Sequence, residues 1–116
     1  MEPTGSPQKN PGLTAAFLSD NINDAQLRWA RSATRHRVSR LRSRFVIDHA
    51  GVVFIQPAAP PDRPDPRLVW LGDDADGEAL EVMAALTREG DVLVLHSMPL
   101  RDEFRPMYEE ATRWQR

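Results

Sequence analysis

The alternation of apolar and polar residues from Leu68 to Met98 is the longest such run in the chain, and it restricts the fold more than any other feature. Residues two apart share one face of a strand. Arg67-Leu68-Val69-Trp70-Leu71-Gly72, Ala79 to Thr87, and Val92-Leu93-Val94-Leu95-His96-Ser97 are therefore predicted strands. In the second, Leu80, Val82, Ala84 and Leu86 fall on one face, and Glu81 marks the opposite face as at least partly wet. The third is apolar on both faces and is expected to be the most buried. Asp76-Gly77 is expected to form a tight primed turn, because Asp and Gly tolerate positive φ, and Arg88-Glu89-Gly90-Asp91 forms the next turn. The expected scaffold is a three-strand antiparallel meander.

The flanking segments supply helices. Met1 to about Pro11 is rich in Pro, Gly and Ser without apolar periodicity, which predicts a disordered tail. Ala15-Ala16-Phe17-Leu18 can pack on the domain or fold against a partner. Capping residues before Asp24-Ala25-Gln26-Leu27 predict a first helix from about Asp24 to Arg35, with Leu27, Ala30, Arg31 and Thr34 on one side. Ser39 is an N-cap for a second helix from Arg40 to about Ala50, closed by Gly51, with Leu41, Phe45 and Val46 as its core face. Val52-Val53-Phe54-Ile55 reads as an extra strand. Residues 56–66 hold five prolines and so form an extended loop. A last helix starts near Asp102 or Glu103, with Phe104, Met107, Tyr108, Ala111 and Trp114 recurring at helical spacing and forming a substantial part of the core.

These elements define an α+β fold with two N-terminal helices, an antiparallel sheet of three to four strands, and a C-terminal helix packed on the sheet. The division is a flexible tail over residues 1–20 and a single domain over residues 21–116. With 116 residues, 41% of them hydrophobic, one core is expected. The chain has no Cys, which excludes disulfides and thiolate metal sites. No signal peptide and no run of roughly 18 apolar residues is visible, so the expected protein is soluble and cytoplasmic, without membrane association.

A net charge of −2 conceals an uneven distribution. Seven arginines lie between Arg28 and Arg44, and no Asp or Glu occurs from Ala25 to Ile47. Such a basic patch is the footprint of a phosphate-binding surface, and equally that of a solvated helix face. Two nucleic-acid readings follow. Residues 24–50 can form a helix-turn-helix whose second helix carries Arg40, Arg42 and Arg44 to a major groove. Alternatively, Arg35, Arg37, Arg40 and Arg42 line an RNA-binding cleft against the sheet and contact phosphates without reading sequence.

Asp74-Ala75-Asp76-Gly77 fails as a calcium loop: with Gly77 at loop position six, Gly72 and Met83 fall where the first ligand and the bidentate acid are needed. His36, His49 and His96 are too far apart for a local metal motif, so neither a metal nor a cofactor is expected. His96 ends a strand where the chain leaves the sheet, which suits either a general acid or base or a hydrogen-bonded structural histidine.

The order of elements resembles the small BrnT-type toxins and related short RelE-like proteins. The resemblance lies in Arg35-His36-Arg37-Val38-Ser39 followed by Phe45-Val46-Ile47, in Leu71-Gly72 with the acidic turn ending at Gly77 and Leu80-Glu81-Val82, and in Val94-Leu95-His96-Ser97-Met98 leading into a helix containing Tyr108-Glu109. It covers residues 34 to 112. It implies the toxin component of a type II toxin-antitoxin system, a metal-independent endoribonuclease acting on mRNA, in complex with a cognate antitoxin that covers the basic site. In RelE-like cleavage the RNA 2′-OH attacks the adjacent phosphate while Arg and Lys neutralise the developing charge. The catalytic candidates implied here are Arg44, His96, Arg101, Arg105 and Tyr108.

One departure from the pattern is chemical. Such sequences place an Ala-Arg pair after the last strand, where this chain has Ser97-Met98, and Met98 cannot bind phosphate. Either Arg101 has taken over that task or the fold persists without catalysis. A non-catalytic interaction module using the tail, Phe17-Leu18 and the Pro-rich loop is the remaining reading.

Overall fold

The computed structural model describes residues 15, 18–20, 22–23 and 25–114, the last without its side chain. The expected tail over Met1–Pro11, the start of the first helix at Asp24 and the side chain of Trp114 lie outside the described residues. The chain forms a small α+β fold around a five-stranded mixed sheet. Its strands are β1 (Leu27–Trp29), β2 (Val52–Gln56), β3 (Arg67–Asp73), β4 (Ala79–Leu86) and β5 (Val92–Pro99), in the spatial order β1-β5-β4-β3-β2. A 3₁₀ turn at Arg31–Thr34 follows β1, helix α1 (Arg40–His49) precedes β2, and a second 3₁₀ turn (Asp102–Phe104) leads into α2 (Arg105–Trp114). No helix among the described residues is long and apolar enough to cross a membrane.

The meander β3-β4-β5 and the extra strand β2 are antiparallel as the alternation requires. The expected first helix is corrected. Leu27–Trp29 instead pairs in parallel with Val92–Val94, so the sheet is mixed and gains a fifth strand. The physical reason is that the expected inner side of such a helix, Leu27, Ala30, Arg31 and Thr34, would offer a single large apolar residue to a core, whereas a strand satisfies the open edge of β5. The Val92 amide donates to the Gln26 carbonyl at 2.8 Å and the Ala30 amide to the Val94 carbonyl at 2.9 Å. The helix-turn-helix geometry over residues 24–50 is thereby lost.

The sheet is packed on both faces. One face carries Leu68, Trp70, Leu80, Val82, Ala84, Val92 and Val94 against Val46 and Ile47 of α1 and against Ala33 and Val38. Ser39 caps α1, its hydroxyl accepting from the Arg42 amide at 3.1 Å. The core face of α1 is rotated from the expected one: Ser43, Val46 and Ile47 are buried, while Leu41 is 83% exposed. Ser43 belongs inside because its hydroxyl meets that of Ser97 at 2.7 Å, pinning α1 to β5. Ala15 and Leu18 join this core, and Trp70 donates its indole N–H to the Ser19 hydroxyl at 2.8 Å, so the packed chain reaches back to Ala15.

The second face carries Val69, Leu71 and Met83 under Leu100 and Phe104, with Val52, Phe54, Ala79 and Tyr108 around them. Helix α2 packs chiefly on the β2 side of this face, with Tyr108 reaching Asp73 at the end of β3, so it contributes less core than its periodicity implied; Met107 is 40% exposed. For the same reason the most buried strands are β3 and β4 rather than β5.

Two local devices set the register. The β3–β4 turn has positive φ at Gly77 alone, at 86°, and not at Asp76, so it is a longer turn than the expected primed one. The Gly77 amide donates to the Asp74 carbonyl at 3.0 Å, and the Asp74 side chain accepts from the amides of Asp76 and Glu78. Gly72 allows the sheet to meet the end of α1: a Cβ there would lie 3.0 Å from the Ala50 Cα, a backbone atom that cannot retreat. Gly72→Ala is expected to destabilise the fold by about 1–3 kcal/mol in urea unfolding.

Candidate functional site

A β-bulge builds the site. Val94 pairs with Ala84 and His96 with Met83, so β5 carries one extra residue, Leu95, between them. Without it, Val92, Val94 and His96 would share the face under α1. The bulge reverses the phase, turning Ser97 inward to Ser43 and His96 outward onto the face that α2 half covers. The Leu95 carbonyl, displaced from the ladder, accepts from the Ser32 hydroxyl at 2.6 Å.

Glu81 lies on the same face in β4 and is fully buried. The expectation that it marks a wet face is corrected, because its carboxylate is enclosed by its own partners. His96 Nε2 lies 2.9 Å from Oε2, the Arg101 amide donates to Oε1 at 2.9 Å, and Arg101 Nε and Nη2 donate to Oε2 at 2.9 and 2.7 Å. Burial opposes ionisation, but the bonds from His96 and Arg101 outweigh it and lower the Glu81 pKa to about 2. Pairing with Glu81 in turn raises the pKa of Arg101. An ionised carboxylate only accepts, so His96 Nε2 carries the hydrogen and Nδ1 is left to take or give a proton. The His36 ring stands edge-on to His96 with centroids 6.1 Å apart.

His96 and Arg101 open onto a cavity of about 320 Å³, whose other walls are Gln56, Arg63, Arg67, Met83 and Glu103. Three guanidiniums face one carboxylate there, and that carboxylate, Glu103, is 3.6 Å from Arg101 Nη1. The cavity therefore suits an anion, with a histidine beside it to transfer protons.

The other residues singled out in the sequence are dispersed. Tyr108 lies at the far end of the face, donating to Asp73 at 2.6 Å; this bond, with burial, raises its pKa and removes it from base chemistry near His96. Arg105 is exposed and 3.7 Å from Asp102. Arg44 projects from α1 and pairs with Asp48 at 3.2 Å. Arg42 bonds Asp74 at 2.8 Å and Glu78 at 2.6 Å, bracing the β3–β4 turn, and Arg40 lies over the Trp29 ring at 5.7 Å. Arg35 and Arg37 are exposed and flank His36 in the turn before α1, so they come to the margin of the His96 cluster.

Glu81, Arg63 and Arg67 were not among the sequence candidates. An acid in a strand whose neighbours are all apolar, with a histidine and an arginine beyond the next turn, was the available signal for Glu81. Arg63 was hidden in a loop read for its prolines, and Arg67 at the start of a strand read for its apolar residues. No family model, curated protein or solved structure matches the chain.

Because Glu81 titrates in the folded protein at about 2 against an ordinary 4.5, its contribution to stability is complete above pH 4.5 and disappears as pH falls toward 2. Urea unfolding from pH 6 downward should show this acid loss, and Glu81→Gln should flatten it. Arg101→Ala, which leaves the buried carboxylate with His96 and the backbone amide of residue 101 but no guanidinium, is expected to cost roughly 3–5 kcal/mol at neutral pH.

Proposed function

We propose that the protein is a metal-independent endoribonuclease acting on mRNA, the toxin component of a type II toxin-antitoxin pair, with a RelE/BrnT-like arrangement of its sheet and C-terminal helix. The observation that carries the reading is the joint clamping of His96 and Arg101 on Glu81 beside an open basic cavity. The resemblance of residues 34 to 112 to that toxin group supports it, as does the distribution of charge.

In this reading His96 Nδ1 accepts the proton of a ribose 2′-OH as that oxygen attacks the adjacent phosphorus. The P–O5′ bond breaks, giving a 2′,3′-cyclic phosphate and a 5′-hydroxyl. Glu81 holds the ring in its Nε2–H form and stabilises the imidazolium, as a carboxylate does for other catalytic histidines. Arg101 keeps donors beyond those spent on Glu81 and neutralises the phosphorane, which assigns it the role that Met98 cannot fill. His36, whose ring centroid is 6.1 Å from that of His96, would return a proton to the leaving 5′-oxygen. The cognate antitoxin would cover this face.

Induced expression is expected to arrest growth with mRNA cleavage. His96→Ala should reduce cleavage by about 10²–10⁴-fold, and Arg101→Lys, which keeps the charge but loses the forked contact with Glu81, should also reduce it while remaining folded. A soluble, folded wild type that neither arrests growth nor cuts RNA would contradict the reading.

A further inference from the structure

The cavity beside Glu81 extends past the residues that the cleavage reading uses. Its far wall is Arg67, Arg63 and Gln56. Arg67 opens β3, paired with Gln56 on one side and Ala85 on the other, so its side chain leaves the sheet on the face of Val69, Glu81 and His96. Among the described residues it has no ion pair, and its Nε is shielded from water without an acceptor. That nitrogen is out of a ligand's reach, so it is the rest of the guanidinium, which lines the cavity without a carboxylate partner, that is available to an anion. Arg63 is held on the same wall by the proline-rich loop: its backbone exchanges two hydrogen bonds with Ala59, and its Nε donates to the Pro57 carbonyl at 2.9 Å. Its terminal nitrogens are left for a ligand.

The geometry points to Arg67, with Arg63 and Gln56, as a second phosphate-binding subsite that holds the phosphate next to the one cleaved at His96, so that the substrate is a single RNA strand laid across the open half of the sheet. This rests on the endoribonuclease reading. The Arg67–Ala85 pair and the Met83–His96 pair are neighbouring rows of one face. Two residues along β4 and the width of that strand separate the Arg67 and His96 backbones, roughly 12 Å, and the long Arg67 side chain, lining the same cavity as His96, shortens this toward the spacing of successive phosphates. A volume of about 320 Å³ has room for a nucleotide.

The test uses the full chain carrying His96→Ala, so that RNA stays intact. Titration with inorganic phosphate, followed through the arginine Nε–H signals by NMR, should shift the Arg67 signal saturably. Anisotropy with a labelled oligoribonucleotide should show Arg67→Gln weakening binding by about tenfold and lowering the salt dependence by about one phosphate contact. Arg67→Lys should recover part of this, and Arg88→Gln, in the exposed β4–β5 turn, should change nothing. An unmoved Arg67 signal, or unchanged RNA affinity in Arg67→Gln where Arg101→Lys weakens it, overturns the subsite and leaves the cleavage reading standing. A shift with phosphate but no binding of RNA by any form overturns the RNA assignment of the subsite and the cleavage reading with it.

Discussion

The buried carboxylate of Glu81 is the interaction on which the site depends. A charge removed from water is tolerable only when its partners replace the lost hydration, and here three come from the chain leaving β5: His96 in the strand, and the amide and guanidinium of Arg101 beyond it. The same bonds that keep Glu81 ionised fix the orientation of the imidazole and bend the chain after Pro99 back over the sheet. Stability and preorganisation of the site are therefore one property. An apolar residue at position 81 could pack against Leu71 and Leu100, but it would leave His96 and Arg101 without a common anchor.

The bulge at Leu95 makes this arrangement possible. Strand periodicity alone would send His96 into the core under α1 and leave Ser97 on the outer face. One extra residue exchanges them, and each lands on a partner: Ser97 on Ser43, His96 on Glu81. The short parallel strand β1 and the 3₁₀ turn after it support the irregularity, since Ala30 and Ser32 satisfy the carbonyls of Val94 and Leu95. The segment read as a helix from its sequence is in effect the brace of the bulge.

The strand pattern from Leu68 to Met98 was legible because alternation is a local signal, and Ser39 marked α1 for the same reason. What could not be read locally was the partner of each edge and face. Leu27–Trp29 is a strand only because β5 offers it an edge. The core side of α1 follows from a serine pair that links residues 43 and 97. His96 and Arg101 were both singled out and meet on Glu81, but that common ligand was read as solvent-facing, because an isolated Glu in a strand is more often a wet residue than a buried anchor. The arginines that drew attention by number, Arg40, Arg42 and Arg44, are occupied by Trp29, Asp74, Glu78 and Asp48. Those that face the cavity, Arg63, Arg67 and Arg101, stand apart from that cluster in the chain.

The most direct measurement is cleavage of a defined single-stranded oligonucleotide by the purified protein in excess chelator, with the product ends identified by mass. The account predicts that an RNA strand is cut to 2′,3′-cyclic phosphate and 5′-hydroxyl ends and that the same sequence as DNA, lacking the 2′-hydroxyl, is left whole. Cleavage of both strands, products ending in 5′-phosphate, or loss of activity in the chelator would contradict a reaction in which the ribose supplies the nucleophile and His96, Glu81 and Arg101 supply the rest.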